Sequence, residues 1–275
     1  MQWWCAATSV DWTWTWRPYP GVWLLIFMVA LLYLRRVQRV RQTGTVSSAS
    51  VVWFILGLLL LWLVLDWPVG ALGAGYLLSV HTAQYVVITL IAMPLMLAGC
   101  PVGFFPQPGT GRAGPVLATL ARPGIGLIGY TAIMAVTHVP RVTDFLMATQ
   151  LGSLAIDLAW IAGAFLLWWP VLAPPGHVRI SPPLRIGYLF VASIPPTIPA
   201  AFMVFANYPL YGLYELAPRA GLSAGTDQQA AGLIMKAGAD PLIWMAMAIV
   251  FFRWQQAETD RERRDQALSL EEQAT

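Results

Sequence analysis

Seven apolar runs separated by short loops are the feature that most limits what this chain can fold into. They cover residues 21–34, 51–65, 77–98, 116–139, 149–172, 186–206 and 227–254. A helix needs roughly 20 predominantly apolar residues to cross the hydrocarbon core of a bilayer, and most of the runs come near that length. The pattern therefore predicts an all-α fold, a polytopic integral membrane helical bundle with seven transmembrane helices.

The balance of side chains excludes a soluble domain. Hydrophobic residues make up 58% of the 275 residues and charged residues only 11%, whereas soluble domains carry about a quarter charged residues. The net charge of +3 does not indicate a nucleic-acid partner, because the basic residues cluster at the ends of apolar runs. Membrane lipid is the partner that this composition predicts.

Basic residues also predict the orientation, because cytoplasmic loops are enriched in Lys and Arg. With the N-terminus outside, seven spans give the cytoplasmic side Arg35, Arg36, Arg39, Arg41, Arg112, Arg122, Arg179, Arg185, Arg253, Arg261, Arg263 and Arg264. The outer side then receives only Arg17, Arg141, Arg219 and Lys236. This asymmetry predicts an outer N-terminus and a cytoplasmic C-terminus.

The predicted spans divide the chain into three parts. Residues 1–20 form an outer, aromatic-rich segment whose tryptophans suit the lipid headgroup layer. Residues 21–254 form the transmembrane domain, and residues 255–275 form a charged cytoplasmic tail. Cys5 and Cys100 fall on opposite sides of the membrane in this arrangement, so we predict no disulfide between them.

Polar side chains inside spans are costly and are the first candidates for function. His81, Gln84 and Tyr85 lie near the outer end of the third run, and His138 lies at the outer end of the fourth. The same end of the predicted bundle receives Asp157, Asp227 and Gln228. Consecutive antiparallel helices pack as neighbours, about 8–10 Å apart. We therefore expect His81 and His138 to approach one another, with Asp157 within reach.

These residue types favour a copper site over a magnesium or calcium site. Imidazole suits copper in either common oxidation state, and a thioether favours Cu(I). The candidate ligands are His81, His138, Asp157 and Met134, which lies four residues before His138 on the same helix face. Each histidine also has an ordinary interpretation as a hydrogen-bonding residue at a helix end, and Met134 alone is typical of packing.

Several motifs of common enzyme classes are missing from the sequence. HExxH, the GxxxxGK[ST] phosphate-binding loop and the CxxCH haem site are absent, and we predict that the chain is not an enzyme. Lys236 lies four residues before Asp240. We predict that this pair neutralises itself rather than forming a transport path.

Four stretches carry a resemblance to a known family. They are 79–84 (SVHTAQ), 138–140 (HVP) with Asp144, 168–172 (WWPVL) and 227–235 (DQQAAGLIM). In this order they resemble the CtaG family of membrane-bound cytochrome c oxidase assembly factors. The resemblance implies a multi-pass protein of the bacterial inner (plasma) membrane that serves the respiratory chain. It also adds Asp144 to the polar pocket of Gln84, Tyr85, Asp227 and Gln228.

The resemblance further implies a metallochaperone that assists copper delivery to cytochrome c oxidase subunits. The family has a second histidine four residues after the first, where this chain has Tyr85, and histidines in the fifth span, where it has Ser153 and Asp157. Three functions stay open at this point. They are copper delivery at the outer face, where many oxidases build their dinuclear copper centre, a metal-free scaffold for oxidase assembly, and a small-solute or ion transporter.

Overall fold

The computed structural model describes residues 2–107, 109–174, 177 and 180–274, with side chains up to residue 270. Within these ranges the chain is all-helical and contains no strand. The helices are α1 (Pro20–Thr43), α2 (Ser48–Leu65), α3 (Val69–Gly75), α4 (Leu78–Ala98), α5 (Ala113–Leu120), α6 (Pro123–Thr137), α7 (Pro140–Met147), α8 (Gln150–Leu172), α9 (Pro182–Ala192), α10 (Thr197–Phe205), α11 (Gly212–Glu215), α12 (Ala224–Leu233) and α13 (Ala239–Ala274). Met1, Arg179 and Thr275, which belong to the predicted N-terminal segment, a cytoplasmic loop and the tail, lie outside the described residues.

The predicted helical membrane architecture is confirmed. Among the described residues, six helical segments are long and apolar enough to cross a bilayer, and α5 with α6 makes a seventh if the pair is one bent span. The direction in which the chain crosses the membrane remains a prediction from the arginine asymmetry.

Helix α4 is the centre of the bundle. It packs against α2, α3, α8 and α12. In its 18-residue apolar stretch 61% of the residues are buried, compared with 17% in that of α1. Glycine permits the closest approach between helices here, as is common in membranes. A Cβ atom added at Gly57 of α2 would lie only 2.6 Å from the carbonyl oxygen of Ala92 in α4.

Proline accounts for the irregular helices. α5 and α6 meet at an angle of 81° just before Pro123, and α9 and α10 are separated at 193–196. Two π-helical turns, Ile88–Ala92 and Ile234–Gly238, precede Pro94 and Pro241. A proline lacks the N–H and clashes with the carbonyl four residues earlier, and a π turn accommodates this clash within a continuous helix. The distortion predicted near 238–241 is therefore a π turn.

Two helices continue beyond the apolar runs that predicted them. α1 continues past residue 34 through the arginine cluster to Thr43, and α13 continues through the predicted charged tail to Ala274. Arginine and glutamate are good helix formers. Ion pairs one turn apart, such as Arg261 with Glu258 at 3.3 Å, also fit a helical tail.

Candidate functional site

His81 and His138 come together around the indole ring of Trp160 at one end of the bundle. α4 supplies His81 and, one turn later, Tyr85, whereas His138 ends α6 and Trp160 belongs to α8. The imidazole centroids of His81 and His138 lie 4.7 and 6.2 Å from the ring centroid of Trp160. The phenol ring of Tyr85 lies 4.7 Å from the His138 ring. We call His81, Tyr85, His138 and Trp160 the histidine pocket.

Each histidine of the pocket has a buried nitrogen that lacks a hydrogen bond. His81 is 4% exposed and His138 is 8% exposed. Nothing in the described part of the chain donates to, or accepts from, the Nε2 atom of either residue. An unpaired buried polar atom costs about 1–3 kcal/mol, and such atoms are rare in folded proteins. The two Nε2 atoms are therefore the sharpest indication of a ligand site.

The hydrogen bond at the other nitrogen of His138 fixes its tautomer. Nδ1 lies 2.8 Å from the carbonyl oxygen of Met134. A carbonyl can only accept, so Nδ1 carries the proton and Nε2 presents a lone pair. Metal-binding histidines are typically oriented in this way by a carbonyl or carboxylate at the second nitrogen. The structure thus assigns Met134 a backbone role beside the candidate site, and its side chain is buried.

The walls of the pocket contain residues that the sequence analysis missed. The Tyr85 and Tyr130 hydroxyls lie 2.9 Å apart, and Trp160 Nε1 donates to Thr137 Oγ1 at 3.0 Å. Tyr214 of α11 approaches His81, with ring centroids 5.9 Å apart. Trp160 could have been found, because it lies three residues after Asp157 and therefore on the same face of α8.

Asp157 is not placed in one ligand cluster with the histidines. Its Oδ2 accepts a 2.8 Å hydrogen bond from Trp4 Nε1, and Trp4 is only 1% exposed. The backbone N–H groups of Trp3 and Trp4 also donate to Gln150 Oε1. One tryptophan of the N-terminal segment is thus buried in the bundle, whereas the sequence pattern placed all of them in the headgroup layer.

Three further predicted pocket residues hydrogen-bond to backbone groups instead. Asp227 accepts from the N–H groups of Leu78 and Ser79, at 2.6 and 3.1 Å, and from the Ser79 hydroxyl. Asp144 accepts from the first two N–H groups of α11. Gln228 accepts from the N–H of Leu210 at 2.6 Å. We call Asp144, Asp227 and Gln228 the polar brace, because they hold the start of α4 and the 206–223 connection in place.

Gln84 also hydrogen-bonds to a backbone group. Its Nε2 atom donates to the carbonyl of Val64 in α2, and its Oε1 atom fills the space where a Cβ at Gly73 would lie. Gln84 therefore joins α4 to α2 and α3 rather than facing the histidines.

The predicted pair of Lys236 and Asp240 is confirmed. Lys236 Nζ lies 2.8 Å from Asp240 Oδ2 and donates to Thr197 Oγ1 at 2.8 Å. Both partners of this ammonium group are thus supplied within the protein, as expected for a charge placed at a membrane helix.

The donor set of the pocket suits a transition-metal ion better than a hard ion such as magnesium or calcium. Over the described residues, no three His, Cys, Asp or Glu side chains come together as a metal cluster. Two neutral imidazole nitrogens suit copper, whereas magnesium and calcium require several oxygen ligands. The residues present are therefore of a kind that copper accepts, and His81 and His138 would hold the ion.

Comparison with known protein families gives a match over most of the chain. The family described as "Cytochrome c oxidase caa3 assembly factor (Caa3_CtaG)" matches residues 31–257, a range that contains the histidine pocket and the polar brace. Neither a curated protein nor a solved structure was found to match the chain.

Proposed function

The chain belongs to the family of cytochrome c oxidase caa3 assembly factors, and on this premise we propose that it binds a cuprous ion and passes it to the oxidase. The observation that carries the proposal is the pair of buried Nε2 atoms, on His81 and His138, without a partner in the described structure. Membership of a family of assembly factors indicates the class of partner, which is an oxidase subunit, and a non-catalytic role.

Copper is the cargo in this proposal rather than a resident cofactor. A two-imidazole site holds an ion less tightly than a site with three or four ligands, which is useful for a protein that must release the ion. The Nδ1–H of His138 donates to Met134 O and keeps the Nε2 lone pair available. The aromatic rings of Trp160 and Tyr85 would shield a bound ion from water.

From the arginine asymmetry we expect the histidine pocket to lie near the outer face of the bacterial plasma membrane. His81 lies at the start of α4, and His138 lies at the end of α6. Both positions belong to the end of the bundle opposite the loops that carry most of the arginines. An outer position would bring the pocket to the side on which the copper centre of the oxidase is built.

Copper competition with purified protein tests the proposal. The chain contains three histidines, so His177→Ala serves as the matched control for His81→Ala and His138→Ala. We expect the wild-type protein to take one Cu(I) per chain from a chromophoric Cu(I) chelator. We expect each pocket variant to bind at least about tenfold more weakly, and His177→Ala to bind like the wild type.

The metal-free scaffold is the second candidate, and the polar brace favours it. Brace residues shape the 206–223 connection, which would present a fixed surface to an oxidase subunit with or without copper. Oxidase activity in a deletion strain grown in low copper separates the two functions. Full rescue by the double variant His81→Ala/His138→Ala would support the scaffold, whereas loss of activity that added copper partly restores would support delivery.

A further inference from the structure

A deep groove opens at the end of the bundle opposite the histidine pocket. Its volume is about 840 Å³, and it lies between α2, α4, α8, α9 and α13. Apolar side chains such as Leu90, Pro94, Trp168 and Leu242 line most of it, and three arginines, Arg185, Arg253 and Arg261, line the rest. The groove shares no lining residue with the histidine pocket.

The chemistry of the groove changes along α13. One stripe of this helix faces the groove: Leu242, Ala246, Ile249, Arg253, Ala257 and Arg261. The apolar part, from Leu242 to Ile249, rises about 10 Å at 1.5 Å per residue. This is comparable to the roughly 15 Å hydrocarbon depth of one leaflet. The arginines begin where that apolar stretch ends.

The positive charge of the groove is not neutralised by acidic residues that line it. No Asp or Glu is among the described residues that line it. Arg261 pairs with Glu258, and Arg185 Nε donates to the carbonyl of Ile180 at 2.8 Å. For Arg253, by contrast, the described chain provides no carboxylate within ion-pair distance. A ligand that complements this groove must be long and apolar at one end and anionic at the other.

We propose that the groove binds one anionic phospholipid, with its phosphate at Arg185 and Arg253 and its acyl chains along α13. Basic pockets between transmembrane helices bind acidic headgroups in this manner. Zwitterionic phospholipids have the same acyl chains but no net charge, so the site distinguishes the two headgroup classes. The positive-inside asymmetry assigns the lipid to the cytoplasmic leaflet.

Native mass spectrometry of the purified chain tests the site with two lipids of identical acyl chains, phosphatidylglycerol and phosphatidylcholine. We expect the wild-type protein to bind phosphatidylglycerol at least fivefold more tightly. Each arginine near a membrane surface contributes about a fivefold change, so Arg185→Gln/Arg253→Gln should abolish the preference. The matched control is Arg35→Gln/Arg39→Gln in α1, which removes the same charge outside the groove and should leave the preference unchanged.

A second variant tests whether the acyl chains enter the groove. Ala246→Trp fills the apolar part and should weaken binding of both lipids at least fivefold. Equal affinity for the two lipids, an equal loss in the α1 control, or normal binding by Ala246→Trp would each overturn the proposal. Photo-crosslinking from position 246 in native membranes to an oxidase subunit instead of lipid would also overturn it. Cu(I) binding is expected to be unchanged in all these variants, so this test is independent of the proposed copper function.

Discussion

The histidine pocket and the polar brace lie near the same end of the bundle, yet they differ in whether their buried polar groups have hydrogen-bond partners. In the polar brace, Asp227 accepts from two backbone N–H groups and a hydroxyl. In the histidine pocket, His81 and His138 are just as buried, and their Nε2 atoms have no partner within the described chain. His81, His138, Asp227 and Gln228 were all selected from the sequence for the same reason, that they are polar and lie at membrane spans.

The difference separates residues that hold the fold from residues that are free to bind. A buried polar group with its hydrogen bonds complete adds to stability, and its removal leaves other groups unpaired. A buried group without a partner already reduces stability, so its retention points to another use. The two regions should therefore respond in opposite directions when their polar atoms are removed.

The largest effect is expected at the polar brace, with Asp227→Ala. The change leaves the N–H groups of Leu78 and Ser79 and the Ser79 hydroxyl without their acceptor at a site that is 2% exposed. We expect the free energy of unfolding to fall by about 3 kcal/mol or more, measured by denaturant titration in detergent micelles. Because the Asp227 carboxylate lies at the first N–H groups of α4, part of the loss comes from the helix dipole.

Two variants show whether the loss comes from the acceptors. Asp227→Asn keeps one acceptor oxygen and should lose about half as much stability. Asp265→Ala removes an exposed carboxylate from α13 and should change stability by no more than about 0.5 kcal/mol. If Asp227→Ala and Asp265→Ala changed the free energy of unfolding equally, the Asp227 carboxylate would not be stabilising the fold. The distinction between the polar brace and the histidine pocket would then not hold.

A smaller loss is expected from Trp4→Phe, which tests to which region Asp157 belongs. The change removes the only side-chain donor that the described structure gives the Asp157 carboxylate. We expect the free energy of unfolding to fall by about 2 kcal/mol. For the control Trp14→Phe, at a residue that is 71% exposed, we expect a fall of no more than about 0.5 kcal/mol. Cu(I) affinity should change less than threefold if Asp157 is not a ligand, and a larger change in affinity would return Asp157 to the metal site.

The fold was predictable from sequence because its cause is local. Each apolar run alone indicates a span, and consecutive antiparallel spans bring His81 and His138 to one end. The partners of the acidic residues were not predictable. Trp4 and Asp157 are 153 residues apart, and Ser79 and Asp227 are 148 apart. No local pattern specifies such pairs, so Asp157 and Asp227 were grouped with the histidines although their hydrogen bonds belong to the fold.

The histidine pocket should respond with a small gain in stability to His81→Phe. Phenylalanine can keep the ring contacts with Trp160 and Tyr214 while removing the unpaired Nε2 atom. We expect the free energy of unfolding without copper to rise by about 1 kcal/mol, while Cu(I) affinity falls. A loss of stability comparable to that of Asp227→Ala would show that His81 serves the fold and would contradict the assignment of the pocket.

The last prediction concerns the reactivity of Cys5, next to the Trp4 contact. Burial, and then the carboxylates of Asp157 and Asp66, raise the pKa of the Cys5 thiol well above its ordinary value. The thiolate is the reactive form, so the folded chain should hold little of it at pH 7 to 9. We expect Cys5 to be alkylated much more slowly than a free thiol over this range, measured in a Cys100→Ser background.

Detachment of the N-terminal segment should remove that protection. Gln150→Ala removes the acceptor for the Trp3 and Trp4 N–H groups. We expect this loss to weaken docking of the N-terminal segment by about 1.4 kcal/mol. If the thiol reacts from the detached state, alkylation of Cys5 should become about tenfold faster. Gln256→Ala, at an exposed position of α13, should leave the rate unchanged. A Cys5 thiol that reacts rapidly in the wild type would mean that the segment is undocked most of the time. Asp157 would then lack its Trp4 donor and would be available to the histidine pocket as a third ligand.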